Sequence, residues 1–147
     1  MVASSILNSG GGTHVAKIIA MPASEVSRLK SWCATRRITE VECMIPDLAG
    51  VARGKILPVR KFLDGLGRGA HHLPESIFVQ TVTGEYPNVE DVVPIADRDV
   101  VLLPDPASIR VVPWYEEPTA QVICDCFYPD GSRVDIYTRE VLRRVLA

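Results

Sequence analysis

The stretch from Thr119 to Tyr128 constrains this chain more than any other. It is the longest strand candidate, and Val122, Ile123, Cys124 and Phe127 make it apolar on both faces. A strand with no solvent face belongs in the middle of a sheet. Pro129-Asp130-Gly131 closes it with turn chemistry. The rest of the chain must supply its neighbours and the layers that cover it. With 147 residues, 47% apolar and 23% charged, the chain has the length and composition for one domain with a real core.

Neighbours are visible upstream. From Thr39 to Ile45, Val41, Cys43 and Ile45 alternate with Glu40, Glu42 and Met44, the period of a half-buried strand. Pro46-Asp47-Leu48-Ala49-Gly50 is a turn, and Val51 to Val59 pairs back as a hairpin. Ser76 to Val82, Val100 to Leu103 and Ile109 to Trp114 also read as strands, the last weakened at its end by Pro113. Gly84 to Asp91 is a loop. Helical spacing marks Pro22 to Arg36, where Val26, Leu29, Trp32 and Cys33 form one stripe. Arg36 and Arg37 suit the end of that helix electrostatically. A short helix from Arg60 to Leu66 is closed by Gly67 and Gly69. A last helix, Thr138 to Ala147, carries Val141, Leu142, Val145 and Leu146 on one side. Five or six strands, mostly joined as hairpins, with helices at the margins, make an α+β fold.

Several function classes are excluded. Sixteen basic against 18 acidic residues give a net charge of -2, without the basic footprint of a nucleic-acid binder. No window approaches the roughly 20 apolar residues of a membrane span. Residues 1–20 read as a disordered tail, broken by Gly10, Gly11 and Gly12, and lack the charged and apolar regions of a secretory signal. Ordered patterning begins just after Met21, a candidate start. Cys33, Cys43, Cys124 and Cys126 form no C-x-x-C pair. Cys124 and Cys126 share a face and would in principle chelate, but small buried thiols are the plainer reading, in keeping with a reducing cytoplasm. His71 and His72 diverge if extended, which makes them poor co-ligands. Asp97 and Asp99 share a face if extended, but a solvated turn before a strand is the plainer reading. The nucleotide loops, the nucleophile elbow and the H-E-x-x-H motif are missing. The residues alone give an α+β domain with no self-contained catalytic, cofactor-binding or metal site.

Four segments carry a resemblance. Ile38-Thr39-Glu40-Val41, followed by Asp47-Leu48-Ala49-Gly50-Val51-Ala52-Arg53-Gly54-Lys55, resembles the opening hairpin of the glutamine synthetase superfamily, with its D-x-x-G turn and R-G-K strand. Asp99-Val100-Val101-Leu102-Leu103-Pro104-Asp105 is similar to that family's D-x-x-L-x-P-D. Ile109 to Gly131 resembles its P-W turn, A-x-V-x-C-D strand and P-D-G end. Tyr137-Thr138-Arg139 to Ala147 resembles the helix that opens its catalytic domain. The matches cover residues 22–147 in the family's order.

The resemblance implies a β-grasp-like domain, with a mostly antiparallel sheet and flanking helices, over residues 21–136. Residues 137–147 would then begin the helix leading to a larger catalytic domain that holds ATP and Mg or Mn. It also implies a glutamate–amine ligase that is inactive as this chain alone and is completed by the catalytic domain of an adjacent subunit in a homo-oligomeric ring. Where ammonia-using members carry D-G-S-S, this chain reads Leu73-Pro74-Glu75-Ser76, with a longer loop onward to Asp99. That departure is similar to the branch joining glutamate to a larger amine such as a polyamine. Glu75, Ser76 and Glu85 are then candidates for the rim of an amine site in a neighbouring subunit, although solvated loop carboxylates are the plainer reading of Glu75 and Glu85. Arg53 and Lys55 fit surface or subunit-contact roles better than catalytic ones. The rival reading is a non-catalytic β-grasp interaction or regulatory module.

Overall fold

The computed structural model describes residues 19–88, 93 and 96–147. Residues 1–18 of the expected tail and part of the loop expected over residues 84–91 lie outside them. The chain forms α1 (Ala23–Thr35), β1 (Glu40–Pro46), β2 (Ala52–Pro58), α2 (Val59–Leu66), β3 (His72–Pro74), β4 (Asp99–Pro104), β5 (Arg110–Val111), β6 (Thr119–Phe127) and α3 (Thr138–Leu146). Single 3-10 turns occupy Glu75–Phe78 and Pro106–Ser108.

The strands run β2-β1-β6-β4-β3, with β5 also paired to β6. The doubly apolar strand is therefore central, and it is buried along nearly its whole length. Its first half lies parallel to β1, with Cys43 opposite Val122, and its second half lies antiparallel to β4. The other pairings are antiparallel. This is a mixed α+β, β-grasp-like architecture. Alternation in β1 buries Val41, Cys43 and Ile45. Leu29, Cys33, Phe62, Leu66, Val100, Leu102, Val122 and Tyr137 join them in one core. All four cysteines are free and buried, and burial raises the Cys126 thiol far above its usual range.

The ends of the elements follow from local chemistry. Arg37 takes a left-handed conformation (φ 53°) just past α1. The Ile38 N–H then reaches the Cys33 carbonyl at 3.0 Å and the Arg37 N–H the Ala34 carbonyl at 3.1 Å, a Schellman closure built on arginine rather than glycine. Gly54 is required by close packing, because any Cβ there would fall on the Cys43 carbonyl across the hairpin.

Two expected strands differ. Ser76 to Val82 is not extended; the chain turns through Glu75–Phe78, and the local strand is His72–Pro74 instead. The Asp97 carboxylate captures the Ser76 N–H at 2.8 Å, taking that donor from any ladder, and Phe78 turns inward against Tyr137. The strand expected from Ile109 to Trp114 is reduced to Arg110–Val111. Val112 adds one more bond, to the Thr119 carbonyl, before Pro113, which has no N–H to donate.

Candidate functional site

Loops from separate parts of the chain meet where β1, β3 and β6 end and β4 begins. Asp47, fully buried in the β1–β2 turn, accepts the Val51 N–H and the Arg53 Nε, both at 2.7 Å. Arg53 also donates to the Thr81 carbonyl at 2.6 Å, and the Leu48 N–H donates to Phe78 O at 3.0 Å. The D-x-x-G turn and the arginine of R-G-K thus fasten the hairpin to the loop after β3. Removing one partner of so buried a pair leaves an uncompensated charge, typically at a cost of about 3–5 kcal/mol.

The same loop is held from its other side. Glu75 is only 1% exposed, so it is not a solvated loop carboxylate. Its carboxylate accepts two bonds from Arg98, at 3.2 and 3.3 Å, and one from the Tyr128 hydroxyl at 2.5 Å. The Arg98 guanidinium also lies 4.3 Å from the Tyr128 ring centre. Burial, then the bond to Glu75, pushes the Tyr128 hydroxyl up to about 12, so it stays a donor at neutral pH. Hydrogen bonding to Glu75 likewise holds Arg98 above its ordinary value. Ser76 donates through both N–H and hydroxyl to Asp97, each at 2.8 Å, which makes Asp97 part of a turn rather than of a strand face. Glu85 is exposed, and its backbone closes a small loop onto Thr81. The three candidate rim residues therefore lie in one loop region, with the Glu75 side chain turned inward and that of Glu85 outward. Lys55 is drawn instead to the His72 carbonyl at 2.5 Å. Sequence reasoning did not assign Arg98 or Tyr128 to this cluster; the clamp joins residues 23 and 53 positions apart, which no local pattern encodes.

A second polar assembly fixes α3. Tyr137, buried and pushed up mainly by that burial, donates to the Cys124 carbonyl at 2.5 Å. Thr138 donates to the Pro46 carbonyl at 3.0 Å. Arg139 binds Asp105 at 2.6 Å and faces Asp125 at 3.1 Å, while Arg143 binds Asp125 at 2.6 Å. Glu140 is buried and paired with Arg133 at 2.9 Å. Val141, Leu142, Val145 and Leu146 point away from all this and are 45–77% exposed. Among the described residues no three His, Cys, Asp or Glu side chains come together in a way that could hold a metal ion.

No family model matches the chain. It is 27% identical to lengsin from Homo sapiens over 127 residues, 85% of this chain and 24% of that protein. It is 31% identical to a gamma-glutamylethanolamide synthetase from Streptomyces coelicolor over 129 residues, 85% of this chain and 27% of the enzyme. Its fold matches the crystal structure of a novel glutamine synthase homolog with a TM-score of 0.60, at 21% identity over 73% of this chain and 25% of the other. The chain belongs to the glutamine synthetase superfamily. Within the superfamily it corresponds to the β-grasp-like N-terminal domain, and it spans about a quarter of the length of these curated relatives. The superfamily-like D-x-x-G, R-G-K, D-x-x-L-x-P-D and A-x-V-x-C-D segments supply Asp47, Arg53, Asp105 and Asp125 to the two polar assemblies. Among the described residues no helix is long and apolar enough to cross a membrane.

Proposed function

We propose that this chain is the N-terminal domain of an ATP-dependent ligase that joins the side-chain carboxylate of glutamate to ammonia or a larger amine. The observation that carries the reading is the 31% identity, over 85% of the chain, to an enzyme named for making a glutamyl amide of ethanolamine. In such a ligase the γ-carboxylate oxygen takes the terminal phosphoryl of ATP and ADP leaves. The amine nitrogen then attacks the acyl carbon, phosphate departs and the nitrogen gives up a proton. ATP and Mg or Mn would sit in a catalytic domain outside residues 21–147.

This domain would contribute a rim to the adjacent subunit's site in a homo-oligomeric ring. Ser76 and Glu85 would face the amine, and Glu75, locked by Arg98 and Tyr128, would act as a positioning residue that holds their loop. Residues 21–136 would form the domain proper and α3 the bridge to the catalytic part. The exposed stripe of α3 supports that division, because its four side chains would each gain roughly 1.5–3 kcal/mol on full burial.

The test is to express the polypeptide of the complete open reading frame and measure phosphate release with ATP, glutamate and either ammonia, ethanolamine or a polyamine. Turnover that depends on an amine, a raised KM for the amine in Glu85→Gln and only background from residues 1–147 are expected. Absence of amine-dependent turnover in a folded full-length protein would favour the non-catalytic module.

A further inference from the structure

A second concave surface lies away from both assemblies. Pro58, α2 and the turn after it line an open cleft of about 420 Å³. Arg60, Lys61 and Arg68 stand around it, and Asp64 is the one acid among its lining residues. That acid is poorly placed to neutralise them. Its carboxylate is 3.9 Å from Arg60, and Arg68 donates to its backbone carbonyl rather than to its side chain. Lys61 pairs with no carboxylate among the described residues.

His71 also lines this cleft, although its side chain is almost wholly buried. Its ring stacks on Phe62 at 5.7 Å, and Nε2 meets the Phe62 carbonyl at 2.9 Å, so Nε2 carries the proton. Nδ1 has no hydrogen-bond partner among the described residues, and it is not one of the unpaired polar atoms sealed from solvent. Gly65 makes this possible, since a Cβ there would fall on the imidazole. The cleft therefore combines three cationic side chains, one poorly placed acid and a buried imidazole edge with an unused nitrogen.

We propose that the α2 cleft binds the phosphate group of a small phosphorylated molecule, through Lys61, Arg68 and Arg60 at its mouth and His71 Nδ1 at its floor. Phosphate suits this set because its oxygens accept from the three cations at once. A monoprotonated phosphate also offers an O–H to a neutral Nδ1. Carboxylate or chloride would leave Nδ1 unused. The charged and titratable groups acting on His71 are Lys55 from β2, Lys61 from α2 and His72 from β3. Burial, helped by these charges, outweighs the hydrogen bond to the Phe62 carbonyl and holds its pKa below the usual value, and the negative charge of a bound phosphate opposes that effect. This site is independent of the ligase reading and stands or falls separately.

The test uses residues 1–147 and follows the His71 ring signals by NMR during titration with inorganic phosphate, with glycerol 2-phosphate, and with sodium chloride at matched ionic strength. Saturable shifts with one or both phosphates, an upward move of the His71 pKa and no saturable response to chloride are expected. The two phosphate arms separate a site for free phosphate from one that also needs the ester's organic part. Lys61→Ala combined with Arg68→Ala removes two exposed cations, so the fold should persist by circular dichroism, and affinity should fall at least about tenfold. The same response to chloride, no saturable response to either phosphate, or undiminished binding in the double variant would overturn the site.

Discussion

Helices α1 and α3 are both amphipathic, yet the fold uses them in opposite senses. The first buries Leu29 and Cys33 in the core and turns Arg28, Lys30 and Arg36 to solvent. The other buries only Glu140, presses Arg139 and Arg143 against Asp105 and Asp125, and leaves its apolar stripe outside. A helix of nine residues has little stability of its own in water. Burial of an apolar face secures α1; ion pairs and the Tyr137 and Thr138 bonds secure α3. The difference shows that α3 is oriented by this domain through polar contacts while its apolar face stays solvated.

The largest contrast should come from equivalent truncations in the two helices. Leu29→Ala should cost about 2–5 kcal/mol, while Leu142→Ala should stay within about 0.5 kcal/mol, by urea unfolding of residues 1–147. Equal losses would break the contrast. Next in size, Asp125→Asn removes the shared partner of Arg139 and Arg143. Both arginines are partly solvated, so we expect about 2–3 kcal/mol rather than the full value for a buried pair, read as a drop of roughly 5–10 °C in Tm.

A smaller effect is pH-dependent. Burial alone would raise the Asp105 pKa, but the Arg139 and Ala107 hydrogen bonds, with the charges of Arg139 and Arg143, bring it below its ordinary value. A carboxylate whose pKa is lower in the folded state adds stability above its unfolded value of about 3.9, and that stability is lost as pH falls through the folded value. Asp105→Asn should therefore be less stable than the parent near neutrality, by under about 1 kcal/mol. The gap should close in acid, as shown by Tm between pH 7 and pH 3. A gap that widens in acid would contradict this sign. The smallest effect on stability is expected from Val141→Asp with Val145→Asp, which should leave Tm nearly unchanged while abolishing any concentration-dependent sedimentation of the parent chain.

The sheet was legible because its signals are local. Alternation in Val41, Cys43 and Ile45, the Asp47–Gly50 turn and the doubly apolar β6 each lie within one short window. The amphipathic stripe of α3 was equally plain, but which of its faces would be covered was not, because Asp105 and Asp125 lie on other elements. The Ser76–Val82 segment misled for a related reason: Asp97, 21 positions away, takes its backbone donor. Of the proposed rim, Glu75 and Ser76 were singled out where a motif departs from the family pattern, and Glu85 in the longer loop that follows. The inward turn of Glu75 depends on Arg98 and Tyr128, which only the tertiary fold brings to it.

Under the proposed function, the outward stripe of α3 would be an interface with the rest of a longer ligase. All four native cysteines are buried, so a Val145→Cys variant places a single accessible thiol on that stripe. Its rate of alkylation should be compared between residues 1–147 and the full-length polypeptide. Fast modification in the isolated domain and strong protection in the full-length protein are expected. Equally fast modification in both would rule the interface out.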